Sequence, residues 1–263
     1  MAASDSYAAA GLKIGATNHP CEPDSITLNG DLTVDELRTA GELKTSLAVV
    51  TKKRPQIEAG LFNVGALAAL DDIATAGTVQ AFWRQREKDA TFAATYLSAS
   101  FTAGILFPVS LTGGPDRKAL LTVRALGSFT TGTAYTIASD TNTVPAVTGA
   151  YYPKHIVVGG DTILNLAELS VNWEHDVQDD NQLEPTYYVV HGIAMSGTAR
   201  ILDIAKALTK ARLEDGVKEA TLDVVFEDRG PAAGADVTVS LGNAFVEARI
   251  EGNEATLSFR DVV

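Results

Sequence analysis

Apolar and polar residues alternate along much of the chain, which is the pattern of half-buried β-strands. The clearest runs lie at 220–226, 237–241 and 244–250, and another covers 26–34. In each run every second residue is apolar, with few exceptions, so that one side can enter a core while the other meets water. The pattern predicts a mainly β protein.

One of these strand patterns occurs twice. Residues 119–126 match residues 255–262 at an offset of 136, with Leu121 against Leu257 and Arg124 against Arg260. Further matches follow in the same order: 24–34 with 161–171, 46–50 with 186–190, and Gly77 with Gly216. Because the order is kept and the offset changes by only a few residues, we interpret the chain as a tandem duplication. The alternative is two runs of ordinary strands that happen to look alike.

Each half also contains one stretch with helical spacing. The first covers residues 61–75. The second has apolar residues at i, i+3, i+4 and i+7, which share one helical face: Ile201, Ile204, Ala205 and Leu208. Ser196 or Thr198 is suited to cap the second helix, and Gly77 and Gly216 to end the two helices. We therefore expect one amphipathic helix per unit, packed over a sheet.

These patterns together predict a fold class and a domain division. The fold expected is mainly β with one helix per unit, a β-sandwich or partly open barrel, in two tandem similar domains. The first domain is expected over 1–127 with an N-terminal arm, and the second over 161–263. Residues 128–160 are rich in Thr, Ser, Gly and Ala and are expected to form a linker that can include a short hairpin.

Composition excludes several classes of function. The net charge of −12 argues against a tight grip on a nucleic-acid backbone, which requires clustered Lys and Arg. No apolar run approaches the roughly 20 residues that cross a bilayer, so no membrane partner is expected. The first residues lack the basic and apolar regions of a secretory signal, so none is expected. Cys21 is the single cysteine, which excludes an intrachain disulfide and fits a reducing compartment.

The sequence carries no catalytic or cofactor-binding motif. The four histidines are scattered without the spacing of a zinc site: His19, His155, His175 and His191. Cys21 has only His19 nearby as a base, so an inert thiol is expected rather than a nucleophile. We therefore predict no catalytic, cofactor-binding or metal-binding residues, no cofactor, and a protein that is not an enzyme.

Two charged segments are candidates for binding a metal ion or a partner. Residues 174–184 contain five acidic side chains, of which Asp176, Asp179, Asp180 and Glu184 could supply oxygens to calcium, but the segment lacks the glycine of an EF-hand loop. A solvated hairpin loop is the favoured interpretation, and calcium binding stays open. Residues 51–54 form the most basic run, which is expected to be a solvated strand end or, alternatively, a contact with an acidic neighbour.

The order of elements resembles that of the tail tube proteins of tailed bacteriophages and of related contractile injection machines. The resemblance covers roughly 24–126 and 161–263, and the stretch from 168–173 through 184–190 looks like the segment of long-tailed phage tube proteins that carries an acidic loop and then a strand. It implies a structural virion protein that forms stacked rings around a lumen through which DNA passes without specific binding. The duplication implies three chains per ring with pseudo-six-fold symmetry, contacts with other tail proteins, and a place in the virion tail after assembly in the host cytoplasm.

Two other functions stay open at the level of sequence. The chain could be another ring component of a phage tail, such as a terminator or baseplate ring. It could instead be a tandem β-sandwich that binds carbohydrate or hydrolyses it, which requires exposed aromatic side chains. The candidates for that role are Trp83, Tyr151, Tyr152 and Trp173.

Overall fold

The computed structural model describes residues 6–30, 33–37, 47–52, 54–69, 74–86, 92–127, 135–140, 147, 149–179, 188–210, 218–230 and 234–261. The predicted fold class is confirmed, because the structure is mostly antiparallel β, is not closed into a barrel and is consistent with a β-sandwich. Fifteen strands belong to one hydrogen-bonded network, and a separate hairpin contains two more. In these ranges no helix is long and apolar enough to cross a membrane.

In its described residues, the first half of the chain, which we call the first unit, contains nine strands and a short 3₁₀-helix. Its elements in chain order are β1 (Ser6–Ile14), β2 (Thr17–Pro20), β3 (Thr27–Asn29), β4 (Thr33–Leu37), β5 (Leu47–Lys52), β6 (Gln56–Leu61), the 3₁₀-helix η1 (Val64–Ala69), β7 (Ala74–Arg86), β8 (Phe92–Gly114) and β9 (Arg117–Gly127). β10 (Thr136–Asp140) follows and pairs with β8. β8 is the longest strand, with 23 residues, which allows it to pair with several neighbours.

The second half, which we call the second unit, shows seven strands and one α-helix among the residues that the structure describes. Its elements are β11 (Tyr151–Val158), β12 (Asp161–Ile163), β13 (Leu166–Asp179), β14 (Tyr188–Ile201), α1 (Ile204–Lys210), β15 (Lys218–Asp228), β16 (Val237–Glu251) and β17 (Glu254–Asp261). The interval expected to be a linker therefore holds β10, which pairs with β8, and β11, which pairs with β15.

The two units have the same strand order. Hydrogen bonding runs β2-β1-β7-β8-β9-β6-β3 in the first unit and β12-β11-β15-β16-β17-β14-β13 in the second. The chain passes through the matching strands in the same sequence, and η1 and α1 occupy the same place after β6 and β14. The repeated segment forms β9 and β17, where Leu121 lies opposite Leu61 and Leu257 lies opposite Ala199. The connectivity is thus duplicated, as the sequence pattern indicated.

One part of the sequence alignment is wrong. Residues 24–34 were matched with 161–171, but Asp161–Ile163 forms β12, whose counterpart in the strand order is β2. The true counterpart of β3 is β13. Alternation looks the same in every strand, so an alignment displaced by one strand still matches apolar to apolar.

The helices differ from the expectation in length and in orientation. The first is a six-residue 3₁₀-helix, and Gly77, expected to end it, lies inside β7. In the second, Ile201 is the last residue of β14 and only Ala207 is fully buried, whereas Leu208 is exposed. The cap is Asp203, whose Oδ1 accepts the Lys206 N–H at 3.3 Å, while Ser196 and Thr198 lie within β14. Gly216 lies outside the described residues.

The apolar faces of both units meet in one continuous core. β9 buries Ala119, Leu121, Val123 and Ala125 on one face, and β17 buries Ala255, Leu257 and Phe259 in the same alternating way. Side chains from both units belong to a single cluster of contacting buried residues. Since burying a large aliphatic side chain contributes roughly 1.5–3 kcal/mol, this shared core is what holds the two units together.

Candidate assembly interface

The histidines and the cysteine form no cluster with the geometry of a metal site within the described part of the chain. Burial raises the pKa of Cys21 to about 12, and burial lowers the pKa of His19, whose carbonyl oxygen is 3.8 Å from the Cys21 Sγ. His155 lies on β11, where burial lowers its pKa, and His191 on β14 bonds Gln178 at 2.9 Å. Over the ranges given above, no group of three His, Cys, Asp or Glu side chains is placed to hold a metal ion.

The charged segments lie on strands and strand ends. Glu174 and Asp176 are exposed on β13, and residues 180–187, which complete the acidic stretch, lie outside the described residues. In the basic run, Thr51 and Lys52 end β5, residue 53 is not described, and Arg54 lines a cleft between the units. The geometry brings neither run to a recognisable ligand site within the described part.

The four aromatic candidates for carbohydrate binding do not form an exposed platform. Trp173 is buried at 8% exposure, and Trp83 and Tyr151 are partly buried and pack against the core. The Tyr152 ring is covered by the Arg229 guanidinium at 4.9 Å. Flat, exposed rings would be needed to stack on a sugar, so this arrangement gives the carbohydrate interpretation no support.

The feature that distinguishes the molecule is the pairing of β8 with β13, which we call the internal junction. β13 is the terminal strand of the second unit, whereas β8 is an interior strand of the first unit whose edge continues past the end of β7. One edge of β8 pairs with β7 as far as Leu106 and then with β13 from Ser110. Four antiparallel pairs form the internal junction: Ser110 with Asn172, Leu111 with Val171, Thr112 with Ser170, and Gly113 with Leu169.

Close packing supports the internal junction. Leu111, Leu169 and Val171 are fully buried there. A Cβ on Gly113 would lie 2.8 Å from the Pro153 Cγ, so only glycine allows β8 to approach β11 this closely. The junction is therefore a packed interface rather than a loose contact between two sheets.

Two hydrogen bonds and a cleft extend the contact between the units. The Tyr188 hydroxyl donates to the Gly127 carbonyl at 3.1 Å, and Arg229 Nη1 donates to the Pro115 carbonyl at 3.0 Å. A cleft of about 460 Å³ lies between the outer half of the β13–β14 hairpin and β8, and the Phe107 ring meets His175 there at 4.2 Å. Arg124 lines this cleft but is already paired with Glu58 at 2.8 Å.

The outer face of the second unit is a broad polar surface. Acidic side chains outnumber basic ones on the solvent side of its strands, which carry Glu168, Glu174, Asp176, Glu247, Glu251 and Glu254 against Arg200, Arg249 and Arg260. Arg200 lies between Glu168 at 3.7 Å and Glu254 at 3.4 Å. The surface therefore has mixed charges with a negative excess.

No model of a protein family matches the chain, and no curated protein sequence matches it significantly. The interpretation of the internal junction therefore depends on its own geometry.

Proposed function

We propose that the chain is a structural protein of a bacteriophage tail, which self-associates into rings that stack into a hollow tube for the passage of DNA. The observation that carries this proposal is the internal junction. It joins two units of the same connectivity through unlike edges, β8 of one and β13 of the other.

When two units associate through unlike surfaces, each of them keeps one surface free for a further unit. The second unit has its own counterpart of β8, which is β16, and the first unit has its own counterpart of β13, which is β3. A heterologous contact of this kind repeats head to tail until the rotation closes a ring or continues as a filament. Since each chain supplies two units, three chains supply six, and a ring of three chains has pseudo-six-fold symmetry.

The charge of the molecule supports a surface that DNA passes without binding. The net charge is −12, and the polar face of the second unit has an excess of carboxylates. Phosphate-binding surfaces need clustered Lys and Arg, whose release of counterions drives affinity. An acidic wall repels the backbone instead. Other tail proteins would contact the two ends of the tube.

The test is the assembly state of the purified chain. Native mass spectrometry and negative-stain electron microscopy are expected to show rings of three chains with six similar lobes, which stack into tubes with a central channel. Single rings that never stack would favour a terminator or baseplate ring. A chain that stays monomeric at high concentration would refute the proposal.

A further inference from the structure

We propose that the edge of β16 at Glu247–Ala248 pairs, antiparallel, with the edge at Ile26–Thr27 of a second copy of this chain, in the register of the internal junction. This inference rests on the proposed function, because it specifies the contact that would close the ring. It is argued from the internal junction alone: that contact is present once within the chain, and duplication of the strand order leaves its counterpart to be made between chains.

The position on β16 follows from its pairing with β17. In the first unit Ser110 of β8 lies opposite Thr122 of β9. In the second unit Glu247 of β16 lies opposite Ser258 of β17. Thr122 and Ser258 occupy the same place in the repeated segment, so Glu247 is the counterpart of Ser110. Ala248 is then the counterpart of Leu111, and both are buried on the core side.

The position on β3 follows from a second chain of pairings. Arg124 of β9 lies opposite Glu58, and its counterpart Arg260 lies opposite Ser196. Glu58 in turn lies opposite Thr27.

Ser196 in turn lies opposite Asn172. Thr27 is therefore the counterpart of Asn172, which pairs with Ser110 at the internal junction. The residue before it, Ile26, corresponds to Val171 and is partly buried against the core. A second copy thus places Thr27 opposite Glu247 and Ile26 opposite Ala248.

Both edges are available in the described structure. β15 pairs with β16 only as far as Val246, and the described residues offer no partner on that edge from Glu247 to Glu251. β3 pairs with β6 along one edge, and its other edge meets no described strand. Thr27 and Glu247 are both exposed. An uncovered strand edge presents unpaired backbone groups to a further strand.

One basic side chain of the β16 edge, Arg249, faces acidic side chains across the proposed contact, while Glu247 and Glu251 flank it on its own strand and Glu251 lies 3.8 Å from it. Cys21 bridges Leu61 as Leu169 pairs with Ala199, so Thr27 lies six positions after Cys21 where Asn172 lies three positions after Leu169. The additional residues form a turn in which Asp24 has φ of 64°.

That turn places two exposed carboxylates, Glu22 and Asp24, beside the position that faces Arg249 of the other copy. Arg249 is itself highly exposed, at 78% of its side-chain surface. The matching positions of the internal junction, Thr112 and Ser170, are uncharged, so the charge pair belongs to the contact between chains. We therefore expect it to select the register and the partner.

Disulfide trapping tests the register directly. Residues directly opposite in antiparallel strands have Cα atoms about 4.5–5.5 Å apart, within the range that a disulfide spans. Thr27→Cys and Glu247→Cys chains, mixed and mildly oxidised, are expected to give a covalent dimer that neither variant gives alone. The double variant is expected to give a ladder on a non-reducing gel that ends at a closed ring. Cys21 is buried, so the parent chain serves as the blank.

Two control pairs make the result specific. Ser110→Cys with Asn172→Cys in one chain is expected to close an intrachain disulfide at the internal junction. Thr27→Cys with Glu251→Cys is displaced by four residues and is expected to remain reduced. Cross-linking of this displaced pair in place of the matched pair would overturn the register.

Assembly measurements separate this inference from the proposed function. Rings seen by microscopy without a Thr27–Glu247 cross-link would overturn the inference and leave the proposed function intact, whereas no assembly would refute both. Glu22→Lys and Arg249→Glu are each expected to raise the concentration at which rings form by several-fold, and their combination to restore it. Failure of the combination to restore assembly would contradict the charge pair.

Discussion

Gly113→Ala tests in solution the geometry on which the functional proposal depends. Gly113 lies opposite Leu169 at the internal junction, and the added Cβ would lie 2.8 Å from the Pro153 Cγ, 3.0 Å from its Cδ and 3.2 Å from the Ala119 Cα. Overpacking of this kind costs about 1–3 kcal/mol. The reduced entropy of the unfolded chain offsets about 0.4–1 kcal/mol. The free energy of unfolding should therefore fall by about 1–2 kcal/mol.

Pro153→Ala provides the second corner of a double-mutant cycle. It removes the two atoms that the new methyl group would approach most closely, the Pro153 Cγ and Cδ, at a cost of about 1.5 kcal/mol for two buried methylene groups. In this background Gly113→Ala should be nearly neutral, so the two changes should couple by about 1–2 kcal/mol. The contact joins β8 of the first unit to β11 of the second, and the coupling thus reports on how the units are packed together.

The assay is urea unfolding at a protein concentration where the chain is monomeric, followed by circular dichroism. Gly77→Ala is the matched control, because it lies in β7 with nothing within 4 Å of the added Cβ. Its free energy of unfolding should equal that of the parent or exceed it by up to about 1 kcal/mol, because only the reduced entropy of the unfolded chain is left to act. The reasoning is refuted if Gly113→Ala leaves the midpoint unchanged, or if it costs the same in both Pro153 backgrounds.

Three further predictions concern stability and reactivity. Leu121→Ala and Leu257→Ala should each lower the free energy of unfolding by about 2–5 kcal/mol, since both side chains are fully buried in matching strands; a loss under 1 kcal/mol by urea unfolding in either one would contradict the shared core. Cys21, with its pKa raised to about 12, should react with a thiol reagent at pH 8 only after denaturation, and rapid labelling of the native chain would contradict its burial. The pKa of Asp228 is lowered by hydrogen bonds from the backbone N–H groups of Gly230, Gly234 and Ala150. Its contribution to the free energy of unfolding should therefore be complete above the unfolded pKa of about 4 and be lost as the pH falls through the lowered folded value. Asp228→Asn should flatten the dependence of the urea midpoint on pH in the acid range, and an unchanged dependence would refute the assignment.

Local pattern was sufficient to predict the strands and their repetition. The alternation in β9 and β17 is strict, and Leu121 and Leu257 are buried as the pattern required. Arg124 and Arg260 mark the same place in both strands, which gave the repeat its offset. Apolar and polar residues must alternate in a strand that has one face in the core, so such strands can be predicted without knowledge of their neighbours.

The sequence did not show in the same way which strands pair or where the chain reverses direction. β11 and β12 repeat β1 and β2, but few residues are shared between the two hairpins beyond alternation and a turn glycine at Gly15 and Gly159. The sequence alignment therefore placed the segment that contains β3 against β12, where the alternation of apolar and polar residues matched by chance. The prediction that Ile201 lies on the helix was wrong for a related reason. Ile201 is the last residue of β14 and is buried there, and the helix begins three residues later.

The internal junction was outside the reach of sequence analysis, because it depends on which edge meets which. Apart from Gly113, nothing in residues 110–113 or 169–172 marks them as partners, because both segments simply alternate. Their pairing is decided by the length of β8, which runs past the end of β7 and offers a second edge. Gly113 is the one local signal, since a glycine inside a strand often marks close approach of another backbone.

The difference between the two junctions has a physical explanation if the proposed contact between chains is correct. The units of one chain are tethered, so the internal junction forms at an effective concentration in the millimolar range for short flexible connections and needs no charge to find its partner. Thr112 and Ser170 are accordingly neutral. A contact between separate chains must instead be found by diffusion and distinguished from every other exposed strand edge. Arg249 opposite Glu22 would supply both attraction at a distance and a penalty for the wrong register, which is where opposite charges contribute most at interfaces. After duplication, the tether between the units is enough to form the internal junction, whereas charge selects the partner and the register at the contact between chains.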